Sequence, residues 1–132
     1  MKQVVRAIIT NKEDRVLLIK RARGVGAGLY ALVGGKPEPD ENPKDAVIRE
    51  VKEEIGLDFT PTGQSESLDK SHDLVNPWRV YYFTGTTRGE LNLNKEEVLE
   101  VIFVSEEDIS KINFAFDCKE KLYEYFRSAN RF

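Results

Sequence analysis

The chain alternates short apolar runs with polar segments that contain glycine or proline, a pattern typical of strands interleaved with a few helices. Aliphatic and β-branched residues predict strands at 4–10 and 16–20, and the polar turn between them predicts a hairpin. Further strands are predicted at 30–33, 57–68, 78–84 and 98–104. Loops are predicted at 21–28, 69–77 and 85–94. Both faces of strand 78–84 carry aromatic residues, so we expect both faces to be covered.

One segment has the periodicity and the end signals of a helix. Asn42-Pro43 suits its start, because the Asn side chain can accept from an unpaired N–H and Pro lacks one, and Gly56 suits its end. At about 100° per residue, one helix face is apolar and another is acidic. The apolar face comprises Val47, Ile48, Val51 and Ile55. The acidic face comprises Glu50, Glu53 and Glu54.

A short helix after Ser105 and a terminal helix over 118–127 complete the predicted elements, with Ser105 and Asp117 as N-caps. Cys118, the single cysteine, has no partner in the chain for a disulfide. It lies at helical spacing with Leu122 and Tyr125, so we expect it in the core rather than at a reactive site.

The acidic helix face requires a compensating charge, because carboxylates one turn apart repel one another. Two neighbouring glutamates on a helix are ordinarily solvated surface residues, but three glutamates on one helix face are harder to explain in this way. Arg49 supplies only one positive charge. Mg²⁺ prefers oxygen ligands and is usually held by a few carboxylates and substrate phosphates, and Mn²⁺ accepts similar ligands. The spacing therefore favours a divalent metal site.

The segment 35–57 reads Gly35, five residues, Glu41, seven residues, Arg49-Glu50-Val51, Lys52, Glu53-Glu54, Ile55 and Gly56-Leu57. This resembles, at every fixed position, the Nudix box G-x5-E-x7-R-E-U-x-E-E-x-G-U, where U is aliphatic. The chain therefore resembles the Nudix hydrolases. Its Leu32-Val33-Gly34-Gly35 lacks the proline that many members have before the two glycines.

The resemblance implies roles for the matching residues. Glu50, Glu53, Glu54 and the carbonyl of Gly35 would bind metal, and Arg49 would orient the glutamates. Glu41 would support the loop or reach a metal through water. Glu50 or Glu53 would be the general base, a role that some members give to a downstream glutamate. Here the downstream candidates are Glu96, Glu97 and Glu100, and Glu100 is our choice as an added metal ligand. A charged strand edge would explain these three equally well.

The implied fold is an α/β (α+β) Nudix-type α/β/α sandwich, in which a mixed sheet lies between helices. The implied reaction is attack by water on a phosphoanhydride of a nucleoside diphosphate linked to a further group. Candidate substrate-binding residues lie outside the box: Arg21, Arg23, Tyr30, Phe116 and Asp117. Guanidinium matches phosphate, aromatic rings can stack on a base, and a carboxylate can accept from an amino edge. Loop solubility and core packing are the competing explanations.

Length and charge limit the other possibilities. A chain of 132 residues fits a single domain, 1–132. A net charge of −3 with interspersed signs does not indicate binding to a nucleic acid polymer, whereas a small nucleotide remains compatible. No run is long enough to span a membrane, so we expect a cytoplasmic protein. A homodimer is compatible with the family by analogy alone. The single histidine, His72, is expected in a polar loop.

Three functions are then open. The leading hypothesis is hydrolysis of a nucleoside triphosphate, including an oxidised purine triphosphate, to the monophosphate and pyrophosphate. The second is hydrolysis of ADP-ribose or a nucleotide sugar, for which the box would look the same. The third is a catalytically silent ligand sensor, which would not need Glu41, Glu50, Glu53 and Glu54 all intact.

Overall fold

The structure is a computed structural model and describes residues 1–70, 73–129 and 131–132. Within these residues the element order begins β1 (Gln3–Ile9), β2 (Val16–Arg21), β3 (Tyr30–Ala31), β4 (Val33–Gly35) and α1 (Pro43–Ile55). It continues β5 (Asp58–Asp69), β6 (Trp78–Arg88), β7 (Val98–Val104), a 3₁₀ helix (Glu106–Lys111) and α2 (Cys118–Arg127). None of the described helices is long and apolar enough to cross a membrane.

The strands form two sheets. One has the order β4-β1-β6-β5, with β1 parallel to β6 and the other neighbours antiparallel. The other has the order β3-β2-β7 and is antiparallel. Alternate residues of β1 therefore enter different cores: Val5, Ala7 and Ile9 pack on the α1 side, and Val4 and Ile8 pack on the α2 side. The expected mixed-sheet sandwich between helices is confirmed.

The predicted hairpin of the first two strands is wrong. Only Thr10 and Val16 bridge across the turn, after which β1 and β2 enter different sheets. Each of these strands already has a neighbour on both edges, and their aliphatic residues are buried on both faces. A strand of that kind has no edge left for the partner that follows it in sequence.

Three predicted boundaries also move. Residues 30–35 divide into β3 and β4, which pair in different sheets, with Leu32 between them. Strand β6 continues to Arg88 because it pairs with β5 along its whole length, so the predicted turn at 85 begins later. Asp69 closes β5 instead of opening a loop. His72 lies outside the described residues.

The helix predictions are confirmed. The Asn42 side chain accepts a hydrogen bond from the N–H of Asp45 (2.8 Å), and Gly56 ends α1 in the left-handed conformation (φ 79°). Cys118 is fully buried in the core beneath α2, as expected. Asp117 is an exception, because it precedes α2 without a side-chain capping hydrogen bond. Its side chain instead bonds to that of Asp69.

Candidate active site

Arg49 connects the loop before α1 to the acidic face of the helix. Its Nε and Nη2 donate to the two carboxylate oxygens of Glu41, each at 2.9 Å, and Nη2 also donates to the carbonyl of Lys36 (3.1 Å). Its Nη1 donates to Glu50 (3.0 Å) and to Glu53 (3.1 Å). A planar guanidinium can hold several carboxylates at once. Arg49 therefore fixes the loop and partly neutralises the glutamates.

These hydrogen bonds alter the pKa values of the partners. The Arg49 guanidinium, followed by the backbone N–H of Glu38, holds the pKa of Glu41 below its usual range. Glu41 in turn raises the pKa of Arg49. Both groups therefore remain charged at neutral pH, and the bidentate pair behaves as a fixed support.

Glu54 is the box glutamate that faces inward. It is 6% exposed, and its Oε2 accepts from the backbone N–H of Gly34 (3.0 Å). Burial, and then the negative charge of Glu50, raise the pKa of Glu54 to about 8. Burial also raises the pKa of Glu50. The buried Glu54 carboxylate thus lies beside the partly buried Glu50 carboxylate, and the positive charge of Arg49 is shared among Glu50, Glu41 and Glu53.

Gly34 and Gly35 allow β4 to approach this cluster. A Cβ at Gly35 would lie 2.6 Å from Oε1 of Glu50, and a Cβ at Gly34 would clash with the backbone of Val5 in β1. Only glycine leaves room for both the strand pairing and the carboxylate.

The carboxylates open into an acidic cavity of about 350 Å³. The cavity is lined by Arg21, Gly34, Gly35, Lys36, Glu50, Glu53, Glu54, Asn94 and Glu97. Glu97 comes from the loop before β7, where it forms an ion pair with Arg23. The predicted box residues therefore meet in one place, together with one of the three downstream glutamates.

A divalent cation fits the chemistry of this cavity. Its donors are hard oxygens, a buried carboxylate with a raised pKa indicates uncompensated negative charge, and Gly35 presents backbone without a Cβ. Among the described residues, no three His, Cys, Asp or Glu side chains already converge as a ready-made ligand cluster. In this structure Glu50 and Glu53 both pair with Arg49.

A second, cation-lined cavity of about 360 Å³ adjoins the acidic one. It is lined by Val4, Arg6, Arg21, Val25, Gly34, Gly35, Lys36, Trp78 and Phe116. The two cavities share Arg21, Gly34, Gly35 and Lys36 as a common wall. A larger depression of about 810 Å³ near Met1 contains no box glutamate, so its volume does not mark it as the site.

The structure separates the predicted substrate-binding residues. Arg21 lines both cavities, and Phe116 lines the cation-lined one. Arg23 is exposed, forms an ion pair with Glu97 and lines neither cavity. The Tyr30 hydroxyl instead donates to the exposed Glu100, and neither residue lines either cavity.

Asp117 also lies outside both linings and bonds to Asp69. Burial and the Asp69 side chain raise the pKa of Asp117 to about 6.

Sequence reasoning missed Arg6 and Lys36 and preferred Glu100 to Glu97. The signal for Arg6 was present, because a charged residue interrupts the apolar run of β1 at a position that faces the α2 side with Val4 and Ile8. Lys36 carries no distinguishing pattern. The choice between Glu97 and Glu100 depends on where β7 begins, one residue after Glu97.

The family model described as NUDIX domain matches residues 1–126 of this sequence. The chain belongs to the Nudix family. It is accordingly a Nudix hydrolase, which confirms the expectation from the box, and its fold is the one found in Nudix structures.

Among curated Nudix relatives, the chain is 44% identical over 92 residues to the CTP pyrophosphohydrolase of Escherichia coli (strain K12), covering 65% of this chain and 67% of that protein. It is 29% identical over 127 residues to the ADP-ribose pyrophosphatase of Methanocaldococcus jannaschii, covering 92% and 72%. Among solved structures, the MutT protein from Methanosarcina mazei Go1 superposes with a TM-score of 0.80 at 27% identity, covering 96% of each chain.

Proposed function

We propose that this Nudix hydrolase cleaves a nucleoside triphosphate to the monophosphate and pyrophosphate in a Mg²⁺-dependent reaction. The observation that carries the proposal is the wall shared by the acidic and cation-lined cavities. Arg21 and Lys36 in this wall suit a polyphosphate that crosses from one cavity to the other, because both are cations beside a carboxylate cluster. The cation-lined cavity then receives the nucleoside.

The residues available to hold the metal are Glu50, Glu53, Glu54, Glu97 and the carbonyl of Gly35. Bound divalent cations would neutralise phosphate charge and lower the pKa of a coordinated water. Arg49 orients Glu50 and Glu53 from one side while Glu41 anchors Arg49 from the other. Glu97 replaces Glu100 in this set because Glu97 lines the acidic cavity.

The reaction also needs a proton acceptor for the attacking water. Of the two glutamates that the sequence suggested, both pair with Arg49, but burial raises the pKa of Glu50, whereas Glu53 is exposed. A base is most effective when its pKa lies near the working pH. We therefore assign proton transfer to Glu50. The water oxygen bonds to phosphorus while its proton passes to Glu50, the P–O–P bond breaks, and the bridging oxygen leaves with the electron pair on either the monophosphate or pyrophosphate.

The relatives support two substrate classes. The Escherichia coli relative is named for CTP, which favours a triphosphate, and the Methanocaldococcus jannaschii relative is named for ADP-ribose, which favours the second hypothesis. A cavity of about 360 Å³ lies toward the small end of the range for ligand pockets, which favours one base and sugar.

The test is product analysis across nucleoside triphosphates, oxidised purine triphosphates, ADP-ribose and nucleotide sugars, with and without Mg²⁺. We expect a triphosphate to give pyrophosphate and a monophosphate only with the metal present. Turnover confined to ADP-ribose or a nucleotide sugar would replace the triphosphate proposal with the second hypothesis.

The matching variant is Glu53→Gln, which removes a ligand charge while keeping the side-chain size. Mutation of a residue that only hydrogen-bonds to a metal ligand commonly lowers metal affinity or activity by about 10- to 100-fold. For Glu53 as a direct ligand, we therefore expect kcat/KM to fall by about 100-fold or more. The melting temperature should change little, since Glu53 is exposed. Glu107→Gln is the control, because Glu107 is an exposed glutamate in the 3₁₀ helix. Unchanged turnover in Glu53→Gln would exclude Glu53 from the site.

A further inference from the structure

Arg6 is a buried charge in the middle of the main sheet. It lies on β1 opposite Gly34 of β4 and Tyr82 of β6, so the strand register places it directly beside the glycine that precedes the box. Arg6 is only 4% exposed, and its Nε has no hydrogen-bond partner. In the described part of the chain, Arg6 also forms no ion pair. Buried guanidinium groups normally have both kinds of partner.

A second arginine shares the cavity with Arg6. The guanidinium carbons of Arg6 and Arg21 lie 4.6 Å and 4.9 Å from the ring centre of Phe116. Burial lowers the pKa of Arg21, and the positive charge of Arg6 lowers it too. Among the described residues that line the cation-lined cavity, none is an Asp or a Glu. Two like charges are therefore held together, and the carboxylates that act on Arg21, Glu54 and Glu97, line the acidic cavity rather than this one.

Phe116 explains how the arginines are held, but not why. Its backbone has φ 61°, a conformation that is uncommon for a bulky residue and is found mainly where the surroundings impose it. Cation–π contact stabilises a guanidinium, yet it supplies no acceptor for the N–H groups. The cavity is thus built to present donors to a group that brings acceptors.

The walls of the cavity favour a nucleobase as that group. Arg21 and Lys36 also line the acidic cavity, where phosphates are expected. Arg6 lines the cation-lined cavity but not the acidic one. The other residues that line the cation-lined cavity include Val4, Val25 and Trp78, which suit a planar, partly apolar group better than a hydrated anion.

We propose that Arg6 determines base specificity by donating two parallel hydrogen bonds to a base edge with two adjacent acceptors. The inference rests on the proposed function for the nucleotide and adds the base. Guanine offers O6 and N7, and cytosine offers O2 and N3. Adenine instead places its amino donor beside N1 and N7, and uracil places its N3–H donor between O2 and O4. Cytosine and guanine nucleotides are therefore the favoured substrates.

The experiment measures the Kd of CMP, GMP, UMP and AMP by calorimetry, for the wild type and for Arg6→Met. Methionine keeps much of the buried volume and removes the donors, and replacing a buried charge with an apolar side chain is often well tolerated. A good bidentate pair corresponds to roughly 10- to 100-fold discrimination. We expect the wild type to favour CMP and GMP by that factor. We expect Arg6→Met to bind all four within about threefold of one another.

Three controls make the result specific to the base edge. Arg6→Lys retains the charge but not the fork, so selectivity should be lost while binding of UMP and AMP is kept. Arg127→Met removes an exposed arginine of α2 and should leave all four Kd values unchanged. Loss of N7 in 7-deaza-GMP should weaken binding to the wild type by about tenfold, a comparison that needs no variant to fold.

Monophosphate binding is measured without turnover, so this test and that of the proposed function can fail separately. Absence of triphosphate hydrolysis would reject the function while the Kd values still decide the role of Arg6. Equal affinity of the wild type for the four monophosphates, or no binding of any, would overturn the proposal. An equal loss for all four in Arg6→Met would assign Arg6 to phosphate binding and would also overturn it.

Discussion

Glu54 is placed on the box helix yet is buried against the strand that precedes it. An exposed glutamate would have an ordinary pKa, but here burial and the charge of Glu50 raise the pKa of Glu54 to about 8. Its hydrogen bond from the Gly34 N–H partly offsets that effect. The residue therefore costs stability when it is ionised, and a bound cation would remove the cost.

The sign of the pH dependence follows from this shift. Because the folded state binds the proton more tightly, the favourable contribution of Glu54 is fully present below the ordinary pKa of 4.5 and is lost as the pH rises toward 8. In EDTA, Glu54→Gln should therefore become more stable than the wild type with rising pH, by a few kcal/mol at pH 8, since one pKa unit corresponds to about 1.4 kcal/mol. Urea unfolding at pH 5, 6, 7 and 8 measures this difference. A difference that does not vary with pH, measured against the Glu107→Gln control, would contradict it.

At the scale of elements, the site depends on how closely β4 passes both β1 and α1. Gly34 meets the backbone of β1, whereas Gly35 meets only the end of the Glu50 side chain. A side chain can rotate away at little cost, but a paired backbone cannot. The two adjacent glycines therefore serve different purposes, and one pair of variants can separate them.

We expect Gly35→Ala to fold normally and to lose most of its activity, at least about tenfold, because the Glu50 carboxylate must leave its position. We expect Gly34→Ala to be destabilised by several kcal/mol, since its Cβ would clash with Val5 and Arg6 backbone atoms. Thermal unfolding and kcat/KM of both variants provide the measurement. A stable Gly34→Ala protein, or a fully active Gly35→Ala protein, would show that this geometry is incorrect.

At the scale of the whole molecule, the site is assembled from segments that are far apart in the sequence. Residues 6, 21, 34–36, 49–54, 97 and 116 meet because β1 lies between β4 and β6 while β2 lies between β3 and β7. The α1 helix covers one face of the sheets and α2 covers the other. The acidic helix face and the arginine-lined cavity thus open beside one another.

This assembly predicts a pH-dependent effect of the metal on stability. A cation that binds only the folded state raises the melting temperature, and protons compete with it for the carboxylates. Because burial raises the pKa of both Glu50 and Glu54, the rise produced by Mg²⁺ should be larger at pH 8 than at pH 5.5. Differential scanning calorimetry with Mg²⁺ or EDTA measures it. An equal rise at both pH values, or the same pH dependence in Glu54→Gln, would exclude metal binding by these carboxylates.

Local patterns predicted the elements whose signals lie within a few residues. The capped α1 helix, its apolar and acidic faces, the terminal helix and the buried Cys118 all follow from spacing along the chain. The box likewise identified the family, because its fixed residues lie within one segment. Strand pairing could not be predicted from local patterns. The polar turn at 11–15 favoured a hairpin, but β1 and β2 pair with other strands and lie in different sheets.

The sequence by itself therefore determined the helix, the carboxylate cluster on it and the class of chemistry, since all three depend on contacts within one or two helical turns. Only the tertiary structure decided which distant residues join that cluster. It brought Glu97 rather than Glu100 to the acidic cavity, and it placed Arg6, Arg21 and Phe116 around a common space. The physical reason is that burial, cavity shape and the unpartnered Nε of the buried Arg6 arise from strand order and register, which no local pattern encodes.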